Sequence, residues 1–241
     1  MKLLKDSIGI WENALEPSWC EELMEKFDAK ARLGVLEKFP ELDSVPRRVR
    51  IEEGNHTSLG VNFVNNDKRI DDSFNLGMFG SFHPYQHDLL KSLEKCYREY
   101  FQHFMGTWVK SDKSEWTMFE TIECKMQRTP PKGGFCIPHC EQGGVIFELG
   151  NDNNEYSTTR RGFVWMLYLN DLEESGGTIF HNQDLIVTPK QGTMVIWPAQ
   201  MTHMHGSNPD LNDWKYIVTG WLLYCIDENK REKSRIRTDS S

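Results

Sequence analysis

His139-Cys140-Glu141, answered later in the chain by His205 and then by Lys215 at the head of the apolar run Lys215–Leu222, are the residues whose types and spacing could do chemistry. Two imidazoles and one carboxylate can hold ferrous iron on one face and leave the opposite positions open for substrate and oxygen. If His139 and Glu141 sit on or at the end of a strand, positions i and i+2 project to the same side, so both reach one metal while Cys140 points away. A lysine ten residues after His205 adds a fixed cation, able to anchor the far carboxylate of a dicarboxylic cosubstrate. Among 8 histidines and 36 acidic residues, a bare His-x-acid match is equally a polar pair at a strand edge, so context decides.

The elements around these residues supply that context. Pro17 is placed for a first helical turn, and Trp19, Cys20, Leu23, Met24 and Phe27 recur at helical spacing after it. A longer amphipathic helix is predicted from Tyr85 to about Phe104 on Leu89, Leu90, Leu93, Tyr97, Tyr100, Phe101 and Phe104. Between the two helices the pattern is weak, with one short strand candidate at 60–64. From Trp116 onward, short runs are punctuated by turn residues, as in a β-sandwich or barrel. Ile122, Cys124 and Met126 alternate with polar neighbours, and strands are expected at 162–169, 184–188, 193–197 and 216–224. These runs predict a mainly β (α+β) fold, a jelly roll with a cavity between facing sheets and N-terminal supporting helices. One domain over residues 1–226 is expected, with a mixed scaffold to about 115 and the jelly roll from about 116. The charged stretch 227–241 has almost nothing to bury and reads as a frayed tail.

Several motifs stand between the two ligand regions: Tyr168-Leu169-Asn170, then Ser175-Gly176-Gly177-Thr178-Ile179-Phe180, then Gly192-Thr193-Met194-Val195-Ile196-Trp197-Pro198. Together with His139-x-Glu141, His205 and Lys215, this order resembles the prolyl 4-hydroxylase branch of the iron and 2-oxoglutarate dioxygenase superfamily. The resemblance covers about Thr121 to Leu223, with an echo in Ile8-Gly9-Ile10-Trp11 and the helix after it. It implies a double-stranded β-helix of cupin-like form, Fe(II) held by His139, Glu141 and His205, and 2-oxoglutarate as cosubstrate, with ascorbate a candidate further cofactor. It also implies O2 as a reactant, release of succinate and carbon dioxide, and hydroxylation of a second substrate, a prolyl or other peptidyl residue or an amino acid.

The resemblance also assigns roles. His203 and His205 compete for the distal ligand position. Pro209 and Lys215 stand four and ten residues after His205, the family spacing, and His203 then orients neighbouring groups or walls the pocket. Strand alternation puts Lys215, Ile217, Thr219 and Trp221 on one face, making Thr219 a candidate for the cosubstrate beside Lys215. Tyr168 resembles the family tyrosine that meets the cosubstrate carboxylate, with a core tyrosine as the alternative. Arg161, or Arg160 beside it, resembles an arginine facing the substrate channel, and Trp221 is a candidate substrate contact. Two features depart from the pattern. Glu141 stands where aspartate is usual, adding one methylene, and Pro130 replaces a family tyrosine, so Gln127 is the candidate substitute.

Composition limits the alternatives. A net charge of -8 with a pI near 5.5 makes a nucleic-acid backbone an unsuitable partner. No run approaches a membrane span, and the opening residues lack the apolar stretch of a signal peptide. Six cysteines without a CxxC pair read as thiols in a reducing, cytoplasmic setting. Two rival readings use the same ligands: a zinc hydrolase, which leaves Lys215 and the GGxTxF turn unexplained, and a non-catalytic metal-binding jelly-roll recognition module.

Overall fold

The computed structural model describes residues 3–38, 55–56, 62–66, 68–105, 119–121, 123–142, 158–173 and 175–224. Strands β1 (Leu3–Lys5) and β2 (Ile8–Trp11) form a hairpin and lead into α1 (Pro17–Lys38). Proline at the first helical position costs no hydrogen bond there, and its fixed φ suits the turn. β3 (Asn55–His56), β4 (Asn62–Asn65) and β5 (Ile70–Asn75) make a meander before α2 (His83–Met105). Eight further strands follow: β6 (Phe119–Thr121), β7 (Lys125–Thr129), β8 (Arg161–Tyr168), β9 (Thr178–Phe180), β10 (Leu185–Val187), β11 (Thr193–Pro198), β12 (His205–Ser207) and β13 (Lys215–Tyr224).

The large antiparallel sheet runs β1-β2-β11-β8-β13-β7-β5-β4-β3, with β6 paired to the far end of β13, and a small sheet runs β10-β9-β12. The helix predicted over Tyr85 to about Phe104 and the four strands predicted beyond residue 160 are present within one or two residues at each end, while the first helix begins at Pro17 as expected and continues past Phe27 to Lys38. The candidate at 60–64 forms from Asn62 onward, its first two residues lying outside the described set. The predicted tail at 227–241 also lies outside the described residues.

Alternation along the central strands divides the interior into two layers. On β8, Trp165 and Leu167 turn to one side with Met194, Ile196, Tyr216 and Val218, against Leu23 and Phe27 of α1 and Leu93 and Tyr100 of α2. Val164 and Tyr168 turn to the other side with Val195, Trp197 and Ile217, against Phe180 and Val187 of the small sheet. β8 and β11 are covered on both faces, which is why they read as continuous apolar runs. The second layer is the jelly-roll interior, and the candidate site opens from it.

Arg128 ties α1 to the sheet. It is fully buried on β7, donates from Nε to Asp72 Oδ2 at 2.7 Å and from Nη1 to Asp28 Oδ1 at 2.9 Å, and Tyr216 Oη donates to the same Asp28 carboxylate. Burial pushes the Asp72 carboxyl up to about 6, although Arg128 opposes it. The five described cysteines are free thiols, and no described helix is long and apolar enough to cross a membrane.

Candidate metal and cosubstrate site

His139 and Glu141 do not lie on a strand. They occupy an extended loop after β7, because their backbone partners come singly from two elements rather than from one ladder. His139 exchanges both main-chain hydrogen bonds with His205 at the start of β12, at 2.9 and 2.8 Å, and Glu141 N donates to Ala199 O at 3.0 Å after β11. This pinning gives the same-side projection that a strand would have given. It also brings residues far apart in sequence to one point.

His139 Nε2 lies 3.4 Å and His205 Nε2 3.6 Å from Glu141 Oε1, and one ligand atom from each residue fits within 4.8 Å of the others. Both rings have their other nitrogen committed. His139 Nδ1 donates to Ile137 O and His205 Nδ1 to His203 O, each at 2.9 Å, so both Nε2 atoms are turned toward the carboxylate. Glu141 Oε2 faces away from the imidazoles, taken by Trp221 Nε1 at 3.0 Å and Arg161 Nη1 at 3.2 Å. Two imidazole nitrogens and one carboxylate oxygen, oriented from behind, are a donor set that fits a ferrous ion once it displaces any proton between them. Burial pushes the Glu141 carboxyl up, but the two imidazoles beside it override that and hold it well below the usual range. Burial lowers His139, yet the Glu141 hydrogen bond and the Ile137 carbonyl leave it raised. The extra methylene of Glu141 is absorbed by the carboxylate reaching inward from a backbone held at Ala199.

The triad opens on a cavity of about 210 Å³ between the two sheets. Rows of paired residues cross its floor: Lys125, Thr219 and Met166 in one, Gln127, Ile217 and Tyr168 in the next. Gln127, Thr219 and Trp221 line its wall. Gln127 Oε1 accepts from Arg69 Nη2 at 3.2 Å, and Thr219 Oγ1 donates to Trp165 O at 2.7 Å. Tyr168 and Lys215 lie deeper than the wall. Tyr168 Oη shares a 2.7 Å hydrogen bond with Thr178 Oγ1, and its ring lies 5.5 Å from Lys215 Nζ.

Lys215 Nζ is buried and donates to Gly176 O at 2.6 Å, with no carboxylate within ion-pair distance among the described residues. Burial pushes its ammonium down to about 8. Arg161 takes a different position from the one expected: its guanidinium lies 3.7 Å over the Trp221 ring and holds Glu141. Arg160 turns to Tyr224 O. His203 stays out of the triad and anchors the first hairpin through Asp6 O at 2.7 Å.

Four residues at the site escaped the sequence. Thr178 lay inside a recognised motif, but only the sheet shows its hydroxyl on Tyr168. Phe135 packs 4.5 Å from the His139 ring. Arg69, clasped by Asp71, lines the cavity from a region without periodic signal, and Lys125 does so as one of the polar neighbours in the alternation of Cys124 and Met126, which gives its face but no role.

Residues 124–223 match the model of the 2OG-Fe(II) oxygenase superfamily. No curated protein matches the sequence. Among solved structures, the chain is similar to a viral collagen prolyl hydroxylase of Paramecium Bursaria Chlorella virus-1 in its 2OG complex. That match has TM-score 0.54 and 16% identity over 91% of this chain and 97% of that one. A prolyl-4-hydroxylase of Pseudomonas putida matches with TM-score 0.55 and 14% identity, covering 91% and 94%. A Trichoplax adhaerens prolyl hydroxylase in complex with a hypoxia inducible factor peptide fragment matches with TM-score 0.51 and 16% identity, covering 95% and 88%. At these identities the shared feature is the fold.

Proposed function

We propose that this protein, whose residues 124–223 belong to the 2OG-Fe(II) oxygenase superfamily, hydroxylates a C–H bond of a second substrate while converting 2-oxoglutarate and O2 to succinate and carbon dioxide. The observation that carries this reading is the convergence of His139 Nε2, Glu141 Oε1 and His205 Nε2, with the opposite side open to the cavity. In this reading those three atoms hold Fe(II), and residues 1–226 act as one oxygenase domain. When bound, the iron with its cosubstrate supplies the oxidising chemistry, and the protein supplies geometry, dryness and placement.

Each residue then has a task. Nδ1–H donation to Ile137 O and His203 O fixes the tautomer of each ligating imidazole, and Trp221 and Arg161 hold the idle oxygen of Glu141. Lys215 takes the distal carboxylate of 2-oxoglutarate. A buried ammonium whose partners are one carbonyl and one aromatic face is short of negative charge, and a carboxylate there would gain a strong charge-assisted hydrogen bond. Thr219 and Gln127 line the cavity, Tyr168 lies behind its wall against Lys215, and Trp221, with Arg161 stacked on its ring, edges the side on which the target enters. The likeness to prolyl hydroxylases, one of them solved with a peptide, favours a prolyl or other peptidyl target.

The test follows oxygen uptake and succinate release with Fe(II), with and without 2-oxoglutarate, beside mass spectrometry of candidate peptides for a one-oxygen gain. The expected result is uptake that requires 2-oxoglutarate and is lost in His139→Ala and His205→Ala. Succinate production persisting in either variant removes that ligand from the assignment. Turnover with zinc alone would favour a hydrolase.

A further inference from the structure

Lys125 is a second cation of the cavity, and nothing in the reaction above uses it. Its side chain lines the same space as the triad, in the row it shares with Thr219 and Met166 across β7, β13 and β8. The charged groups that act on it are Asp71, Arg69, Glu123 and Glu141. Asp71 is clasped by Arg69, and Glu141 Oε2 is held by Arg161 and Trp221. Among the described residues no carboxylate lies within ion-pair distance of Lys125 and no side-chain hydrogen bond reaches it. Burial lowers its pKa, so keeping the ammonium there costs free energy.

The charges of the loaded site leave this ammonium over. In the reading proposed above, on which this inference rests, Fe(II), Lys215, Arg161, Arg69 and Lys125 bring six positive charges, and Glu141, dianionic 2-oxoglutarate, Asp71 and Glu123 bring five negative ones, which leaves one positive charge over. Arg161 stands over Trp221 and is not a wall residue. One positive charge remains in the wall, at Lys125, on a strand that also carries Gln127 toward the cavity. A low-dielectric cavity favours an occupant of opposite charge.

We infer that Lys125 is an anion-recognition residue for the second substrate, and that the group brought to the iron carries a carboxylate close to the C–H bond to be hydroxylated. An uncharged occupant would leave the Lys125 ammonium desolvated without a partner. The residue is a specificity determinant for the entering acid, distinct from Lys215, which lies deeper and takes the cosubstrate.

The test reads Lys125 directly. The full-length protein, with Mn(II) and saturating 2-oxoglutarate, is pulsed with methyl acetimidate, and modification of each lysine is followed by peptide mass spectrometry. Isobutyrate and the isosteric neutral isobutyramide are compared at matched ionic strength, with exposed Lys190 as the internal control. Isobutyrate should slow modification of Lys125 about tenfold, the scale of one charge-assisted hydrogen bond, and isobutyramide should change it less than about twofold. In parallel, isobutyrate should raise the melting temperature of the wild type and of Lys125→Arg but not of Lys125→Met. Equal protection by acid and amide, protection by neither, or full protection by 2-oxoglutarate alone would overturn the inference, the last by assigning Lys125 to the cosubstrate. Binding of Mn(II) and 2-oxoglutarate is measured separately by calorimetry. Its failure counts against the oxygenase reading, and the acid-to-amide comparison is then read on the metal-free protein.

Discussion

The indole Nε1 of Trp221 donates to Oε2 of Glu141 at 3.0 Å, and this bond decides which carboxylate oxygen faces His139 and His205. Trp221 is six residues past Lys215 on β13, so one strand carries both the cation proposed for the cosubstrate and the group that aims a proposed metal ligand.

Trp221→Phe keeps the ring and deletes the donor. Glu141 should then swing between two oxygens, and affinity for Fe(II) or Mn(II) should fall by about tenfold, the usual scale for losing an outer hydrogen bond to a ligand. Calorimetric metal titration checks this, and a variant that binds metal as well as wild type would show that Arg161 alone orients the carboxylate.

Glu141→Asp shortens a side chain whose backbone is pinned to Ala199 O. The carboxylate should withdraw from both imidazoles and from Trp221, weakening metal binding by about tenfold or more. Aspartate matching glutamate here would mean that the loop relaxes inward to compensate.

With Lys215 as the proposed anchor of the cosubstrate, affinity for 2-oxoglutarate should depend on pH. The Lys215 pKa in the folded protein is depressed to about 8 by burial, so the free protein becomes relatively more stable as pH rises through that value. In the proposed role the ammonium is what binds 2-oxoglutarate, so affinity should be constant below about pH 8 and fall by about tenfold per unit above it. Lys215→Arg, which stays charged, should shift that decline to higher pH. Calorimetric titration of 2-oxoglutarate from pH 6.5 to 9.5 measures both curves.

Arg128→Met leaves Asp28 and Asp72 buried without their counter-charge. Removing one partner of such a cluster costs about 3–5 kcal/mol, more than the few tenths expected of a surface ion pair such as Arg98–Glu94. Chemical denaturation should show that gap between Arg128→Met and Arg98→Met.

Gly220→Ala tests the seam where β13 crosses the turn into β7. A Cβ at Gly220 would stand 1.9 Å from Glu123 O and 2.7 Å from the Trp165 ring, and the strand on both sides carries site residues. Destabilisation of about 3 kcal/mol is expected, together with weaker metal binding as Thr219 and Trp221 are displaced. A stable variant with unchanged metal affinity would mean that β13 can shift without disturbing Trp221.

Local pattern carried what depends on neighbours in sequence. The 3.6-residue recurrence of Leu23, Phe27, Leu93 and Tyr100 yields the two supporting helices, and the alternation on β8 and β13 gives both their extent and the face shared by Ile217, Thr219 and Trp221. The ordered motifs from His139 to Lys215 likewise pointed to the jelly roll and to the three side chains that converge in it. Short strands β9 and β12 had no such signal, since three residues are too few for a period to show. Tertiary structure alone decided that His139 pairs with His205 in a single bridge, that Arg161 holds Glu141 instead of walling a channel, and that Arg69 and Lys125 share the cavity with the triad. These relations join residues many positions apart, and charge and hydrogen bonding act through space, so they exist only once the two sheets close.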